Sequence, residues 1–589
     1  MKQFFKFLFA SMLGFILGII VLFFLFVAIV SAVVSSAGEK EVSIADKTIL
    51  HIRLTQELRD RSPSNPFDSF DFMSLKSKKQ QGVQEIIEDI DRAANDKSIK
   101  GIYLDAPFVS GTPALVEEIR NAILKFKKSG KPVYAYADFY SQGGYYLASA
   151  ADSVFLNPQG AVTLNGLASQ LMFFKGTLEK LEIKPQVIRH GKYKSAIEPF
   201  INDKMSPENR EQIAGFVNPI WSHMSAGISV ARKISPEEVE SISDSLKARN
   251  AKDALRLKLV DGTIYYDEFI ARLNKITGTE ITKKPELVSL NEYAHTSGGK
   301  KELAFTKDRI AIVFAEGEIV DGEGDENSVG SVPVSAAIRA ARNDKNVKAI
   351  VLRVNSPGGS ALASDIIWRE VVLAKKSKPV IVSMGGLAAS GGYYISCAAD
   401  KIVAQPNTIT GSIGVFGLLF NAEDMLKNKL GITVDTYKTG PYTDMGMPTR
   451  ALTESERLIL QGEVDNIYDV FTSRVADGRK MKQSAVDSIG QGRVWAGETA
   501  LKIGLVDTLG GIDDAIRIAA KMAGIDNYRL RTLPERKEGF QAIMEEIATE
   551  TKASYLKQAL GEEYKYAEAA EAIRKIKGMQ MRSFYSLEY

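Results

Sequence analysis

Hydrophobic and polar positions fall into three regimes along the chain. Residues 7–38 carry no charge, and residues 8–34 are rich in Phe, Leu, Ile and Val. Roughly 20 apolar residues suffice to cross a bilayer as a helix, so this run predicts a single transmembrane segment. Beyond it, short apolar runs such as Ile102-Tyr103-Leu104 and Ala349-Ile350-Val351-Leu352 have the length of buried strands. Amphipathic stretches follow each, at 114–128 and 360–376. Second apolar runs come next, at 133–137 and 380–384, and then a Gly-Gly pair opening another helix. Strands alternating with helices predict an α/β architecture with largely parallel pairing. Residues 58–80, with Pro63 and Pro66, read as an exposed loop, and residues 296–301 as a linker. After Pro534 the pattern becomes charged and helical over 538–577, a C-terminal appendage that is solvated or forms an interface.

The body repeats itself. Asn95-Asp96-Lys97 returns as Asn343-Asp344-Lys345, and Lys127-Lys128-Ser129 as Lys375-Lys376-Ser377. Gly143-Gly144-Tyr145-Tyr146 returns as Gly391-Gly392-Tyr393-Tyr394, and Ala150-Ala151-Asp152 as Ala398-Ala399-Asp400. These pairs share an offset of 248 residues. A period that long means two tandem copies of one fold rather than a solenoid. The chain divides into an N-terminal tail and anchor (1–38), a first domain (46–295), a second domain (302–525) and the appendage (535–589).

Composition narrows the chemistry. With 45% hydrophobic and 25% charged residues, the chain is globular rather than disordered. A net charge of +3 without a basic block gives nucleic-acid binding no support. The lone Cys397 excludes an intrachain disulfide and a Cys-rich zinc site. The four histidines form no HExxH and no pair at ligand spacing, which argues against a metalloenzyme. Lys2 and Lys6 precede the apolar run, while Glu39, Lys40 and Glu41 follow it. The positive-inside tendency then leaves the N-terminus cytoplasmic and the body outside. Ser35-Ser36-Ala37 can also be read as a cleavage site.

Positions where one copy holds a reactive group and the other an inert one are the informative ones. Ser390 aligns with Gln142, and Lys194 with Thr443, so each half supplies one group of a possible pair. Ser390 lies at a strand-to-helix turn followed by glycines, where free amides and the helix dipole favour negative charge. The Gly391 N–H could serve an oxyanion hole, with a second donor in the loop Asn355-Ser356-Pro357-Gly358-Gly359-Ser360. A lysine can act as base if burial or a cationic neighbour lowers its pKa, and Arg189, His190 and Lys192 are near in sequence. Other readings stay open from these residues alone. Ser390 can be a helix cap, Lys194 a surface lysine, His190 a rival base, Cys397 a small buried residue, and Gly358-Gly359 a tight turn.

Four motifs in order carry a resemblance over residues 1 to 525. They are Gly191-Lys192-Tyr193-Lys194-Ser195-Ala196 with Glu198-Pro199-Phe200, and Asn355-Ser356-Pro357-Gly358-Gly359. Ala388-Ala389-Ser390-Gly391-Gly392-Tyr393-Tyr394 and Thr410-Gly411-Ser412-Ile413-Gly414 follow. Together they resemble the signal peptide peptidase A family in its long, protease IV form. The resemblance implies two tandem Clp protease/crotonase-like domains built of ββα units. It implies a Ser/Lys dyad, with Ser390 as nucleophile and Lys194 as general base. Gly359 and Gly391 would be the oxyanion donors, and Ser412 would orient the lysine. It further implies a homo-tetramer on the outer face of the bacterial cytoplasmic membrane, degrading released signal peptides and other hydrophobic peptides without a cofactor. Two other classes compete: an acyl-CoA hydratase or isomerase on the same superfold, and a non-catalytic anchored scaffold.

Overall fold

A computed structural model describes residues 2–36, 44–62, 70–71, 76–77, 80–280, 283–299, 306–325, 327–535 and 579–582. The apolar run forms one helix, Lys2–Ser36. Its segment Lys6–Leu25 has a mean hydropathy of 2.8 and buries nothing against the body. Twenty helical residues span about 30 Å, the thickness of a bilayer's hydrocarbon core. This helix is long and apolar enough to cross a membrane.

Each repeat builds a sheet. In the first the order is Gly262–Thr263, Ser153–Leu156, Val133–Ala137, Ile99–Asp105, Thr48–Arg53 and Leu287–Ser289, all paired in parallel. In the second it is Val494–Ala496, Ile409–Gly411, Val380–Ala389, Val347–Ser356, Arg309–Glu316 and Arg529–Leu533. Here the pairing of Ile409–Gly411 with Val494–Ala496 is antiparallel, at the edge of an otherwise parallel order. The expected helices appear as Pro113–Lys127 and Ala361–Lys375. Residues common to the two copies make the same bonds in both. Lys127 and Lys375 donate to the carbonyls of Ala150 and Ala398, each at 2.9 Å. Tyr145 and Tyr393 donate to Leu259 and Leu505, at 2.8 and 2.9 Å. The repeated letters therefore serve folding.

A third sheet crosses the repeat boundary. Its order is Ser328–Gly330, Glu318–Val320, Gly358–Ser360, Met579–Arg582, Val415–Asn421 and Lys184–His190. The last two strands pair antiparallel from Lys184↔Asn421 to His190↔Val415, joining the first repeat to the second. The repeats also share a core: Ile310, Ile312, Val351 and Ile381 belong to the same apolar cluster as Ile102, Ile119 and Ile123. Fully burying one such side chain stabilises by about 1.5–3 kcal/mol, so a shared face of this kind binds the halves firmly.

Three expectations need adjustment. The stretch expected to be an exposed loop begins buried, with Leu58, Asp60 and Ser62 at 6%, 2% and 5% exposure. Asp60 is held inside because it pairs with Arg353 of the second repeat. The linker begins buried too: Thr296 is 1% exposed, and its hydroxyl donates to the Tyr293 carbonyl at 2.8 Å. The second sheet runs beyond residue 525 to include Arg529–Leu533, paired in parallel with Arg309–Glu316. The helical stretch expected over 538–577 lies outside the described residues, but the chain beyond it returns as the strand Met579–Arg582.

Candidate active site

Ser390 ends the strand Val380–Ala389 and precedes the helix Gly391–Ser396. Its backbone has φ 57° and ψ −115°, a left-handed strain that costs a non-glycine residue about 1–3 kcal/mol. The turn is held by a hydrogen bond from Ser390 N to Gly411 O at 2.8 Å. Its side chain makes no capping bond to the helix. In the first repeat the corresponding helix, Gln142–Ala148, is capped by Ser141, one position earlier in the alignment. The helix-cap reading of Ser390 therefore fails. Its hydroxyl faces Lys194 instead.

Lys194 reaches Ser390 through the strand that crosses between repeats. Lys184–His190 lies along Val415–Asn421, and Gly191, at φ 99°, then turns the chain onto the Gln491 backbone. Tyr193 N donates to Gln491 O at 2.9 Å and fixes the loop. The lysine stem passes two close approaches that only glycine allows. A Cβ on Gly492 would stand 2.7 Å from Lys194 Cα and Cβ, and one on Gly414 would stand 3.2 Å from Cδ.

At the end of this path Lys194 Nζ lies 2.8 Å from Ser390 Oγ, 3.1 Å from Ser412 Oγ and 3.4 Å from Ser412 O. Three polar neighbours plus Cε match the four directions of an amine nitrogen. A neutral amine can donate two N–H bonds to Ser412 and accept the Ser390 O–H on its lone pair. Lys194 is 1% exposed. Burial alone brings its pKa down from 10.5 to about 7. Neither Arg189 nor Lys192 contributes to the shift; Lys192 Nζ lies over the Tyr193 ring at 5.0 Å. Ser412 also has a positive φ, 52°, and its amide donates to Arg493 O at 2.7 Å.

The glycine loop flanks the serine. Gly358 and Gly359 have φ 94° and 155° and form the short strand Gly358–Ser360. A Cβ on Gly359 would meet Ile319 O at 2.0 Å, so the loop must be glycine to dock there. Gly359 N lies 3.2 Å from where a Cβ on Gly391 would stand, so the two candidate donor residues pack against each other.

The rival groups are occupied elsewhere. His190 Nδ1 pairs with Asp465 at 2.7 Å, and its ring stacks on Tyr468. Burial pushes the Cys397 thiol up to about 12, leaving it inert, and it bonds to Tyr394 O. In the first repeat Gln142 accepts from the amides of Asn165 and Gly166, so the residue aligned with Ser390 is an amide engaged in a local loop. Thr443, aligned with Lys194, is exposed. Sequence reasoning missed the roles of Gln491, Gly492 and Arg493, which lie outside every motif. A glycine beside a polar run was their only signal.

Comparison with known proteins fits this arrangement. The model of peptidase family S49 matches residues 125–280 and 373–526, one segment in each repeat. A Clp protease model matches 308–410, which assigns a Clp protease-like fold to the repeat carrying Ser390. Protease 4 of Salmonella typhi is 40% identical over 484 residues, covering 80% of this chain and 77% of that protein. Protease 4 of Haemophilus influenzae is 36% identical over 529 residues, with 87% and 83% covered. The chloroplastic serine protease SPPA of Arabidopsis thaliana is 36% identical over 470 residues, with 78% and 69% covered. The chain belongs to peptidase family S49, as a serine protease of the long, two-repeat type.

Proposed function

We propose that the chain is a membrane-anchored endopeptidase that degrades released signal peptides and other hydrophobic peptides through a Ser390/Lys194 dyad. One observation carries the reading: a fully buried amine, its pKa near 7, lies 2.8 Å from the hydroxyl of a serine held in a strained turn. Neutral Lys194 takes the proton of Ser390 as the oxygen attacks a peptide carbonyl. The Gly359 and Gly391 amides hold the oxyanion, while Ser412 fixes the direction of the amine. The lysine then protonates the leaving amine and activates water for release of the acyl group. Both side chains come from one chain, so a single copy holds the pair. Substrate lies between Gly358–Ser360 and Val415–Asn421 as an extended strand paired with both, in the position that Met579–Arg582 occupies here. In this reading the helix Lys2–Ser36 tethers the enzyme in the bacterial cytoplasmic membrane, with the body on the outer side and four copies assembled.

Labelling with a fluorophosphonate tests the nucleophile. Mass spectrometry should place the adduct on Ser390, and S390A and K194A should each abolish hydrolysis of an apolar fluorogenic peptide while keeping a folded circular-dichroism spectrum. Near wild-type turnover by either variant would end the dyad reading.

A further inference from the structure

Glu198-Pro199-Phe200 and the helix Pro207–Arg232 take no part in the chemistry described so far, yet they stand behind the base. Lys194 has φ −75° and ψ 74°, and Ser195 N donates to Tyr193 O at 2.8 Å. These values put Lys194 at the centre of an inverse γ-turn. A single hydrogen bond closes such a turn. The amine at its far end bonds to the neutral oxygens of Ser390 and Ser412. Whatever else grips the turn therefore decides where the lysine points.

Gln212 grips it at both ends. Its side chain, fully buried on the helix Pro207–Arg232, donates from Nε2 to Tyr193 O at 3.0 Å and to Ser195 Oγ. Its Oε1 accepts from Val494 N, in the second repeat, at 3.3 Å. Val494 is paired with Gly411, whose carbonyl accepts from Ser390 N at 2.8 Å. The carbonyl before it, Arg493 O, accepts from Ser412 N at 2.7 Å. One amide thus joins the turn of the base to the strand that seats the nucleophile and the orienting serine. A primary amide suits the place because one end must donate and the other accept.

Glu198 sets Gln212 in turn. Its buried carboxylate accepts from Ser206 N at 3.2 Å, Ser206 Oγ at 2.5 Å and Asn209 Nδ2 at 2.8 Å. These groups lie at the N-terminus of the helix, where negative charge is favoured. Asn209 Oδ1 then lies 3.2 Å from Gln212 Nε2.

We infer that Gln212 is a positioning residue of the reaction. Through the γ-turn it holds Lys194 in line with Ser390 across the repeat boundary, and Glu198 fixes Gln212 itself. The inference rests on the dyad reading and adds to it a group that acts only through the lysine.

Q212M keeps the length of the side chain and removes both polar ends. On the full chain in detergent, fluorophosphonate titration counts intact sites, and an apolar fluorogenic peptide gives kcat and KM per site. Q212M should keep the site count and lower kcat per site on the order of a hundredfold, as for a base displaced by about 1 Å. KM should change by no more than about twofold. The acid limb of the pH profile should move up by roughly one pH unit, because a loosened turn lets water reach the amine. E198Q should shift both readouts in the same direction and by less. N274L removes another buried amide of the first repeat, one that holds the carbonyls of Glu280 and Lys283. It should lower the melting temperature and leave kcat per site and the limb unchanged. Wild-type kcat per site with an unmoved limb in Q212M, with or without loss of sites, overturns the inference, and so does an equal fall in N274L. Should Q212M yield no intact sites, E198Q decides by the same two readouts. A wild-type adduct on a residue other than Ser390 overturns the dyad itself.

Discussion

At the scale of single residues, the site runs on the desolvation of one amine. A lysine in water stays charged to pH 10.5, and here burial without any cationic neighbour brings it to about 7. Two expectations follow from the sign of that shift. In the proposed dyad the general base is the neutral form of Lys194, so kcat/KM should fall about tenfold per pH unit below about pH 7 and level off above it. A stopped assay on an apolar peptide from pH 5 to 9 reads the limb; a flat profile would remove Lys194 as base. The same shift taxes the fold, because the unfolded lysine binds a proton that the folded one gives up. The penalty is complete below pH 7 and fades as pH rises towards 10.5. K194M should therefore unfold at a higher temperature than the wild type, by up to about 5 kcal/mol near pH 7, with the gain shrinking in alkali. Close packing sets the other residue-scale limit. Gly492 has φ 81° and leaves no room for a Cβ beside Lys194. G492A should lower kcat on the order of a hundredfold, the cost of a misplacement of about 1 Å, with KM for the same peptide little changed.

At the scale of elements, the sequence and the structure agree wherever a pattern is local. The apolar runs at 133–137 and 349–352 fall inside real strands, and the amphipathic stretch 360–376 matches a real helix to within one residue at each end. Comparing the copies also isolated Ser390 and Lys194, because each stands where the other copy has a group that cannot do its chemistry. The composite sheet was not legible. Lys184–His190 is half polar and sits at a sheet edge, and its partner lies more than two hundred residues away in the other repeat. No periodicity within one segment encodes such a pairing, and the tail strand Met579–Arg582 is too short to announce itself. The pairing nevertheless delivers the lysine. The carbonyls of Val187 and Arg189 turn outward, to Arg457 and Gln461, so Ile188 turns its amide towards Val415–Asn421. I188P removes that donor from the ladder. It should cost far more activity than stability, and the pH limb should move upward as water reaches the loosened amine. A pH–rate profile and a melting curve on the same sample separate the two effects.

At the scale of the whole molecule, the two repeats form one body, and a buried ion cluster sits where they meet. Arg353 of the second repeat is 1% exposed and reaches Asp60 at 2.5 Å and Glu118 at 2.6 Å, both from the first repeat. Ser383 accepts from the same guanidinium, and the Ile512 amide donates to Glu118. Bringing three charges out of water is costly, and the cluster holds only while the cation offsets its two carboxylates. Burial already raises the Glu118 pKa even with Arg353 beside it. Without the guanidinium both carboxylates must either stay charged in a dry interface or bind protons. R353M should therefore destabilise the chain by about 3–5 kcal/mol at neutral pH. A carboxylate whose folded pKa is raised is most stable in its native place below its unfolded pKa, and loses that stability as pH climbs through the folded value. The R353M deficit should accordingly shrink on acidification, from pH 8 towards pH 5, as the variant gains more than the wild type does from its own raised Glu118 pKa. Melting curves across that range decide it. A deficit independent of pH would mean that Arg353 acts by filling space rather than by charge. Because Asn355 donates to Asp60 at 2.5 Å and opens the loop that carries Gly358 and Gly359, loss of the cluster should also reach the site. Activity should then fall at pH 8 and return, relative to wild type, as the carboxylates take up protons.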